Sequence, residues 1–195
     1  MKRICLLLPN GFEEVEASVF TDVFGWNLLE GDGTTKLVTV GTREQVKGTW
    51  NFTVIPEMVI SEVNTDEFDA LTVPGGFEHA DYYKDAYRED VLTLIREFHE
   101  KGKFIASICV GALPLGKSGI LKGRNGTTYN LSSGHRQNQL RSFGVNVLPD
   151  QPVVMDGNII TSHNPSTAFD VAFKLLELLT SKENCNHVKK LMGFK

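Results

Sequence analysis

The feature that most constrains the fold is a series of short, nearly continuous apolar runs that alternate with helical segments. Three runs, at residues 3–8, 68–73 and 104–108, have the composition of strands that are buried on both faces. Apolar residues at helical spacing follow the first run at 13–29 and precede the third at 88–101. This alternation predicts βαβ units and a mostly parallel sheet with helices on both faces.

The remaining predicted elements are shorter, and all fit one domain spanning residues 1–195. Further strands are predicted at 36–42, 124–129, 145–148, 153–155 and 159–161, and residues 49–55 are predicted to form an edge strand or a hairpin arm. Further helices are predicted at 113–120, 131–143, 165–179 and 184–191. Ligands bind outside the carboxyl ends of the strands in such sheets. We therefore expect the loops that contain Asn10-Gly11, Pro74-Gly75-Gly76 and Cys109 to meet at one edge.

Composition excludes several classes of protein. The net charge is −4 and the basic residues are scattered, so neither a nucleic-acid surface nor a nucleic-acid partner is expected. No apolar run approaches the length of a membrane span, so no membrane partner is expected. The three cysteines are widely spaced, which argues against a disulfide framework or a metal site and favours a reducing, cytoplasmic compartment.

Cys109 ends the third apolar run, and a helix-forming segment follows it at once. This is the pattern of a nucleophile elbow, a sharp strand-to-helix turn that exposes one reactive side chain. Unpaired N–H groups at the helix start favour a negative charge and predict a lowered thiol pKa. The alternative is that Cys109 is a small buried hydrophobic residue.

Two further features belong to the same predicted edge of the sheet. Glu16 lies about one turn into the first helix, where a carboxyl group beside a thiolate stays protonated and can donate a hydrogen bond to sulfur. It can equally be one more acid in the first helical turn. The N–H groups of Gly76 and Val110 can form a two-donor oxyanion hole, although Gly75-Gly76 also fits an ordinary tight turn.

Five segments in family order resemble the ThiJ/PfpI family, the family of the parkinsonism-associated deglycase, within the class I glutamine amidotransferase-like fold. These segments are 11–16, 73–76, 106–111, 126–129 and 160–169, and they span nearly the whole chain. The resemblance implies a flavodoxin-like three-layer sandwich with a mostly parallel central sheet and a cysteine nucleophile elbow. It also implies that Cys109 is the nucleophile, Glu16 its protonated partner, and Gly76 and Val110 the oxyanion donors. A homodimer with the first helix near its interface is implied as well.

The chain departs from the family pattern where a general base is expected. Many relatives place a histidine where this chain has Tyr129, which is a poor base at neutral pH. The protease-like subgroup has a histidine where Val110 stands, and true glutaminases have a late His-x-Glu that His163-Asn164-Pro165 lacks. We expect Gly75, Tyr129 and His163 to line the pocket, with His79 as a further candidate. His99, His135 and His187 are expected on solvated helix faces.

The resemblance implies a cysteine-dependent enzyme of glyoxalase or deglycase type that acts on small electrophilic carbonyl compounds in stress protection. Such an enzyme needs neither a metal nor an organic cofactor. One alternative is a non-enzymatic redox sensor or chaperone-like protein that is oxidised at Cys109. The others are a PfpI-type cysteine peptidase or amidohydrolase, and a binding subunit whose pocket is blocked or absent.

Overall fold

A seven-stranded sheet forms the centre of the molecule. The computed structural model describes residues 1–194. Within them the strands are β1 (Lys2–Leu8), β2 (Thr35–Gly41), β3 (Val46–Lys47), β4 (Thr53–Val54), β5 (Met58–Val59), β6 (Ala70–Val73), β7 (Phe104–Ser107), β8 (Asn125–Gly126), β9 (Asn146–Val147), β10 (Val153–Asp156) and β11 (Ile159–Ser162). The main sheet has the order β10-β11-β7-β6-β1-β2-β5, and β10 is its antiparallel member. The strand pairs β3–β4 and β8–β9 lie outside it.

Helices cover both faces of this sheet. They are α1 (Glu14–Glu30), α2 (Tyr82–Ala86), α3 (Glu89–Glu100), α4 (Ala112–Ser118), α5 (His135–Ser142), α6 (Ala168–Leu179) and α7 (Lys182–Leu191). Helices α1, α6 and α7 pack into one core layer, whereas α2 to α5 contribute to the other. The expected α/β sandwich with a mostly parallel central sheet is therefore confirmed.

Strand β1 shows why the apolar runs lack a polar face. Cys5 and Leu7 point into one core layer, and Ile4, Leu6 and Leu8 point into the other. Because successive side chains of a strand alternate between faces, a strand with helices on both sides must be apolar at every position. The loops at the carboxyl ends of β1, β6 and β7 then meet at one edge, which positions the candidate site.

The structure differs from the sequence-based elements, or defines them more closely, in four places. The helix expected at 131–143 becomes regular only at His135, because Ser132 and Ser133 adopt positive φ angles of 56° and 59°. Residues 49–55, predicted as an edge strand or a hairpin arm, contain the second arm of the β3–β4 hairpin and most of its connection, in which Asn51 has a φ of 89°. Helix α2 was not expected, and the strand expected at 124–129 is limited to β8. No helix within the described residues is long and apolar enough to cross a bilayer.

Candidate active site

The turn after β7 places Cys109 in an uncommon backbone conformation. Its φ is 55°, a left-handed value that non-glycine residues rarely adopt. The Gly111 N–H donates to the Ile108 carbonyl oxygen at 2.9 Å, and the Thr128 hydroxyl donates to the Cys109 carbonyl oxygen at 2.8 Å. These two hydrogen bonds fix the strand-to-helix turn from both sides, so the cysteine side chain leaves the sheet edge in a defined direction.

Glu16 reaches this turn from the first turn of α1. The Glu13 side chain caps the helix by accepting a hydrogen bond from the Glu16 N–H at 2.9 Å. The Glu16 side chain is fully buried, and its Oε2 accepts a hydrogen bond from the Gly75 N–H at 2.6 Å. Its Oε1 makes no hydrogen bond of ordinary distance and angle within residues 1–194, which leaves that oxygen free to engage the thiol or a substrate.

Gly75 lies where Glu16, Cys109 and the Val110 nitrogen come together. A Cβ atom at this position would lie 2.9 Å from Glu16 Oε2, 3.0 Å from the Val110 nitrogen and 3.1 Å from Cys109 Cβ. The absence of a side chain therefore lets the carboxyl group, the elbow and the following N–H approach one another. Gly75 was expected to line the pocket, but it lies behind the site and acts through its backbone.

Burial controls the protonation of both reactive groups. Burial raises the pKa of Glu16 to about 8, against the opposing hydrogen bond from Gly75. Burial also raises the pKa of the Cys109 thiol well above its usual range, and the nearby Glu16 carboxyl raises it further, whereas the Val110 N–H opposes the shift. This direction is opposite to the lowered thiol pKa that the sequence pattern predicts, because burial outweighs the favourable N–H groups at the helix start.

Two backbone N–H groups belong to residues that border the cavity beside Cys109. Gly76 and Val110 both border the cavity that contains Cys109. Within residues 1–194 the Gly76 N–H donates to no other group, and the Val110 N–H interacts only with the Cys109 side chain. Both donors are therefore available to an oxygen atom that develops negative charge beside the sulfur.

The cavity has a volume of about 670 Å³ and is bordered mainly by apolar and aromatic groups. It is open to a ligand, which disfavours a binding subunit with a blocked pocket. Its lining residues are Glu13, Glu16, Gly76, Phe77, Glu78, Tyr83, Cys109, Val110, Tyr129, Leu131, Ser132, His135, Arg136, Asn164, Pro165 and Ser166.

Neither histidine that was a candidate for the pocket, His163 or His79, lines the cavity. His163 is buried behind the end of β11 and does not line the cavity, and burial lowers its pKa. His79 packs against Trp50 and Phe77 outside the lining. His135, expected on a solvated helix face, is exposed but borders the cavity at the start of α5. The fold, rather than local spacing, decides which histidine reaches the site.

The other cysteines are separate from this site. Cys5 and Cys185 are buried, and burial raises the pKa of both thiols. Cys109 is partly exposed. No group of three His, Cys, Asp or Glu side chains within the described part of the chain is arranged to hold a metal ion.

Fold and site together define a flavodoxin-like α/β protein with a cysteine at its strand-to-helix elbow. The model of the DJ-1/PfpI family matches residues 2–178, and the chain belongs to this family. It is 31% identical to protein dj-1beta of Drosophila melanogaster over 97% of this chain and 95% of that protein. It is 30% identical to deglycase PfpI of Pyrococcus furiosus, over 91% of this chain and 99% of that protein.

Solved structures agree with this assignment. The crystal structure of Drosophila melanogaster DJ-1beta superposes with a TM-score of 0.87 at 29% identity, covering 100% of this chain and 98% of that chain. Schizosaccharomyces pombe DJ-1 superposes with a TM-score of 0.82 at 27% identity, covering 99% of this chain and 100% of that chain.

Proposed function

We propose that this protein is a cysteine-dependent enzyme that acts on small reactive carbonyl compounds, with chemistry of the glyoxalase or deglycase type, in stress protection. The observation that carries the proposal is the convergence of Cys109, the buried Glu16 carboxyl and the backbone of Gly76 and Val110 on one open cavity. Relatives named deglycase, among them PfpI of Pyrococcus furiosus, support the same class of reaction.

The proposed reaction begins with addition of Cys109 to the aldehyde carbon of a 2-oxoaldehyde. A C–S bond forms, the C=O π bond breaks, and the thiol proton passes through Glu16 to the new alkoxide, giving a hemithioacetal. The Gly76 and Val110 N–H groups stabilise the alkoxide before that proton arrives.

An internal oxidation and reduction then produces a hydroxy acid without an external oxidant. One proton moves from the former aldehyde carbon, by way of an enediol, to the neighbouring carbon. The first carbon is thereby oxidised to a thioester and the second is reduced to an alcohol. Water cleaves the C–S bond, which releases the 2-hydroxy acid and restores the Cys109 thiol.

Glu16 is suited to carry these protons. A general acid–base group works best when its pKa lies near the operating pH, and burial places the pKa of Glu16 at about 8. Because the thiol itself is hard to ionise, the fraction of Glu16 that is ionised near pH 7 acts first as the base that accepts the thiol proton and then as the acid that returns it. Carbonyl addition expels no amine, so this step needs only one proton carrier, which favours carbonyl chemistry over peptide or amide hydrolysis.

Turnover of methylglyoxal tests the proposal. We expect Cys109→Ala to abolish turnover to lactate, and Glu16→Gln to reduce it by roughly 10²–10⁴-fold. Cys185→Ala, which alters a buried cysteine remote from the cavity, is the matched control and should retain activity. Undiminished turnover by the Cys109→Ala protein would rule the mechanism out.

A second function is favoured by the contrast among the three cysteines. Cys109 is partly exposed, whereas Cys5 and Cys185 are buried, so oxidation by peroxide is expected to be selective for Cys109. A gain of two oxygen atoms at Cys109 in the intact mass, in a protein that turns over no carbonyl compound, would identify a redox sensor instead of an enzyme.

Apolar residues along α1 support the homodimer that the family resemblance implies. Trp26 and Leu28 are 36% and 40% exposed, and Leu29 is 80% exposed. Trp26 and Leu29 lie about one turn apart on the same face of α1, and an exposed apolar surface of this kind is typical of a protein–protein contact. The proposed contact joins two copies of this chain through α1.

A further inference from the structure

We propose that the cavity selects carbonyl substrates that carry an anionic group, a carboxylate or a phosphate, and that Arg136 binds this group. The inference rests on the proposed function, since it specifies the substrate class of the same site. Arg136 borders the cavity together with Cys109, so one ligand can touch both residues.

The guanidinium of Arg136 is supported on its protein side. It stacks over the Tyr83 ring with its central carbon 4.7 Å from the ring centroid. Its Nη1 donates to Gln139 Oε1 at 3.0 Å, and the side chain is only 20% exposed. A guanidinium fixed in this way presents its remaining N–H groups with little further loss of conformational freedom.

The anionic partner that Arg136 already has is readily exchanged. Arg136 Nη2 donates to Glu78 Oε2 at 2.9 Å, and the Glu78 side chain is 76% exposed. Ion pairs with so exposed a partner contribute little to stability because water solvates the carboxylate well. A ligand carboxylate or phosphate that enters the cavity can therefore replace Glu78 at a small energetic cost.

The start of α5 adds a second favourable contribution at the same wall. Ser132 and His135 border the cavity, and α5 begins after Gly134 without a side-chain cap. The N-terminal end of a helix carries a partial positive charge and binds anions. The Tyr83 hydroxyl is buried and has no hydrogen-bond partner among residues 1–194. It is therefore available to donate a hydrogen bond to a ligand anion beside Arg136.

The acidic groups of the cavity do not cancel this preference. The pKa of Glu16 is raised by burial to about 8, so this carboxyl is mostly neutral near pH 7. Glu13 accepts hydrogen bonds from the Trp50 indole at 3.0 Å and from the Glu16 N–H at 2.9 Å, which offset its charge. Glu78 is the group that the ligand displaces. With a volume of about 670 Å³, the cavity also has room for a group well beyond the reacting carbonyl.

Equilibrium binding to the Cys109→Ala protein tests the anion site without any reaction. The probes are benzoate, phenyl phosphate and benzyl alcohol, measured by calorimetry. We expect at least one anion to bind about tenfold or more tightly than the alcohol, and the stronger anion identifies the carboxylate or the phosphate. Adding Arg136→Gln should remove this difference.

The matched control is Arg141→Gln, because Arg141 lies exposed on the same helix and bonds to Asn138. It should leave the preference for anions unchanged. Arg136→Lys retains the positive charge but lacks the planar guanidinium group. It should bind anions with part of the original affinity, which shows a role of the charge even if Arg136→Gln perturbs folding. Equal affinity for anions and alcohol, or anion binding that survives Arg136→Gln, would overturn the assignment.

Kinetics on the protein with Cys109 intact separate this inference from the proposed function. We expect Arg136→Gln to raise KM for 4-carboxyphenylglyoxal about tenfold while KM for phenylglyoxal changes less than about twofold. An equal rise in both KM values would contradict the assignment. Absence of turnover with either compound would refute the proposed function alone, because the binding measurements do not depend on the thiol.

Discussion

Replacing Glu16 by glutamine should change how the stability of the protein depends on pH. Burial raises the pKa of Glu16 from 4.5 to about 8, so the folded state keeps this proton over a range in which the unfolded state has lost it. The unfolded state therefore binds fewer protons in this range, and the free energy of unfolding falls as pH rises from 4.5 towards 8. Integrated from about pH 5 to about pH 8, the loss amounts to about 3–4 kcal/mol.

Glutamine has nearly the same shape as glutamic acid but no proton to lose. The Glu16→Gln protein should therefore lack this contribution, and its stability relative to the unmodified protein should improve by about 3–4 kcal/mol between about pH 5 and about pH 8. Urea unfolding at several pH values measures the difference. Glu30→Gln, at the exposed end of the same helix, is the control. Its free energy of unfolding should depend on pH in the same way as that of the unmodified protein. If Glu16→Gln and Glu30→Gln gave the same pH dependence, the raised pKa of Glu16 would be refuted.

Two further changes test the geometry of the site and the assembly. Gly75→Ala would place a Cβ atom 2.9 Å from Glu16 Oε2 and 3.1 Å from Cys109 Cβ. We therefore expect the thiol of this variant to react with iodoacetamide at least about tenfold more slowly. Reactivity equal to that of the unmodified protein would refute the close approach of Glu16 and Cys109 at Gly75. Leu29→Glu places a charge on the exposed apolar face of α1 and should convert the dimer to a monomer. Sedimentation equilibrium measures the change as a halved molecular mass. An unchanged mass would exclude this face as the dimer contact.

The sheet and its reactive edge could be predicted because they depend on strong local patterns. Strand β1 is apolar at successive positions because helices cover both of its faces. The turn at Cys109 follows from an apolar run that meets small residues and then a helix. Glu16 could be proposed from its distance along α1, since the first helical turn must lie close to the end of β1.

The remainder depends on contacts that the sequence does not reveal. Positive φ angles at Ser132 and Ser133 delay the start of α5 and bring His135 and Arg136 to the cavity, yet serine carries no signal for that conformation. His163 follows β11 in sequence but turns into the protein interior. The direction of the Cys109 pKa shift is set by burial, which only the packed structure supplies.

The most direct test of the account is the rate at which iodoacetamide alkylates Cys109 as a function of pH, followed by mass spectrometry. We predict that the rate profile of the unmodified protein contains a step near pH 8, where Glu16 ionises, and that Glu16→Gln removes this step. A rate that is already maximal near pH 6, or identical profiles for the two proteins, would contradict the claim that Cys109 and Glu16 act as one proton-sharing pair.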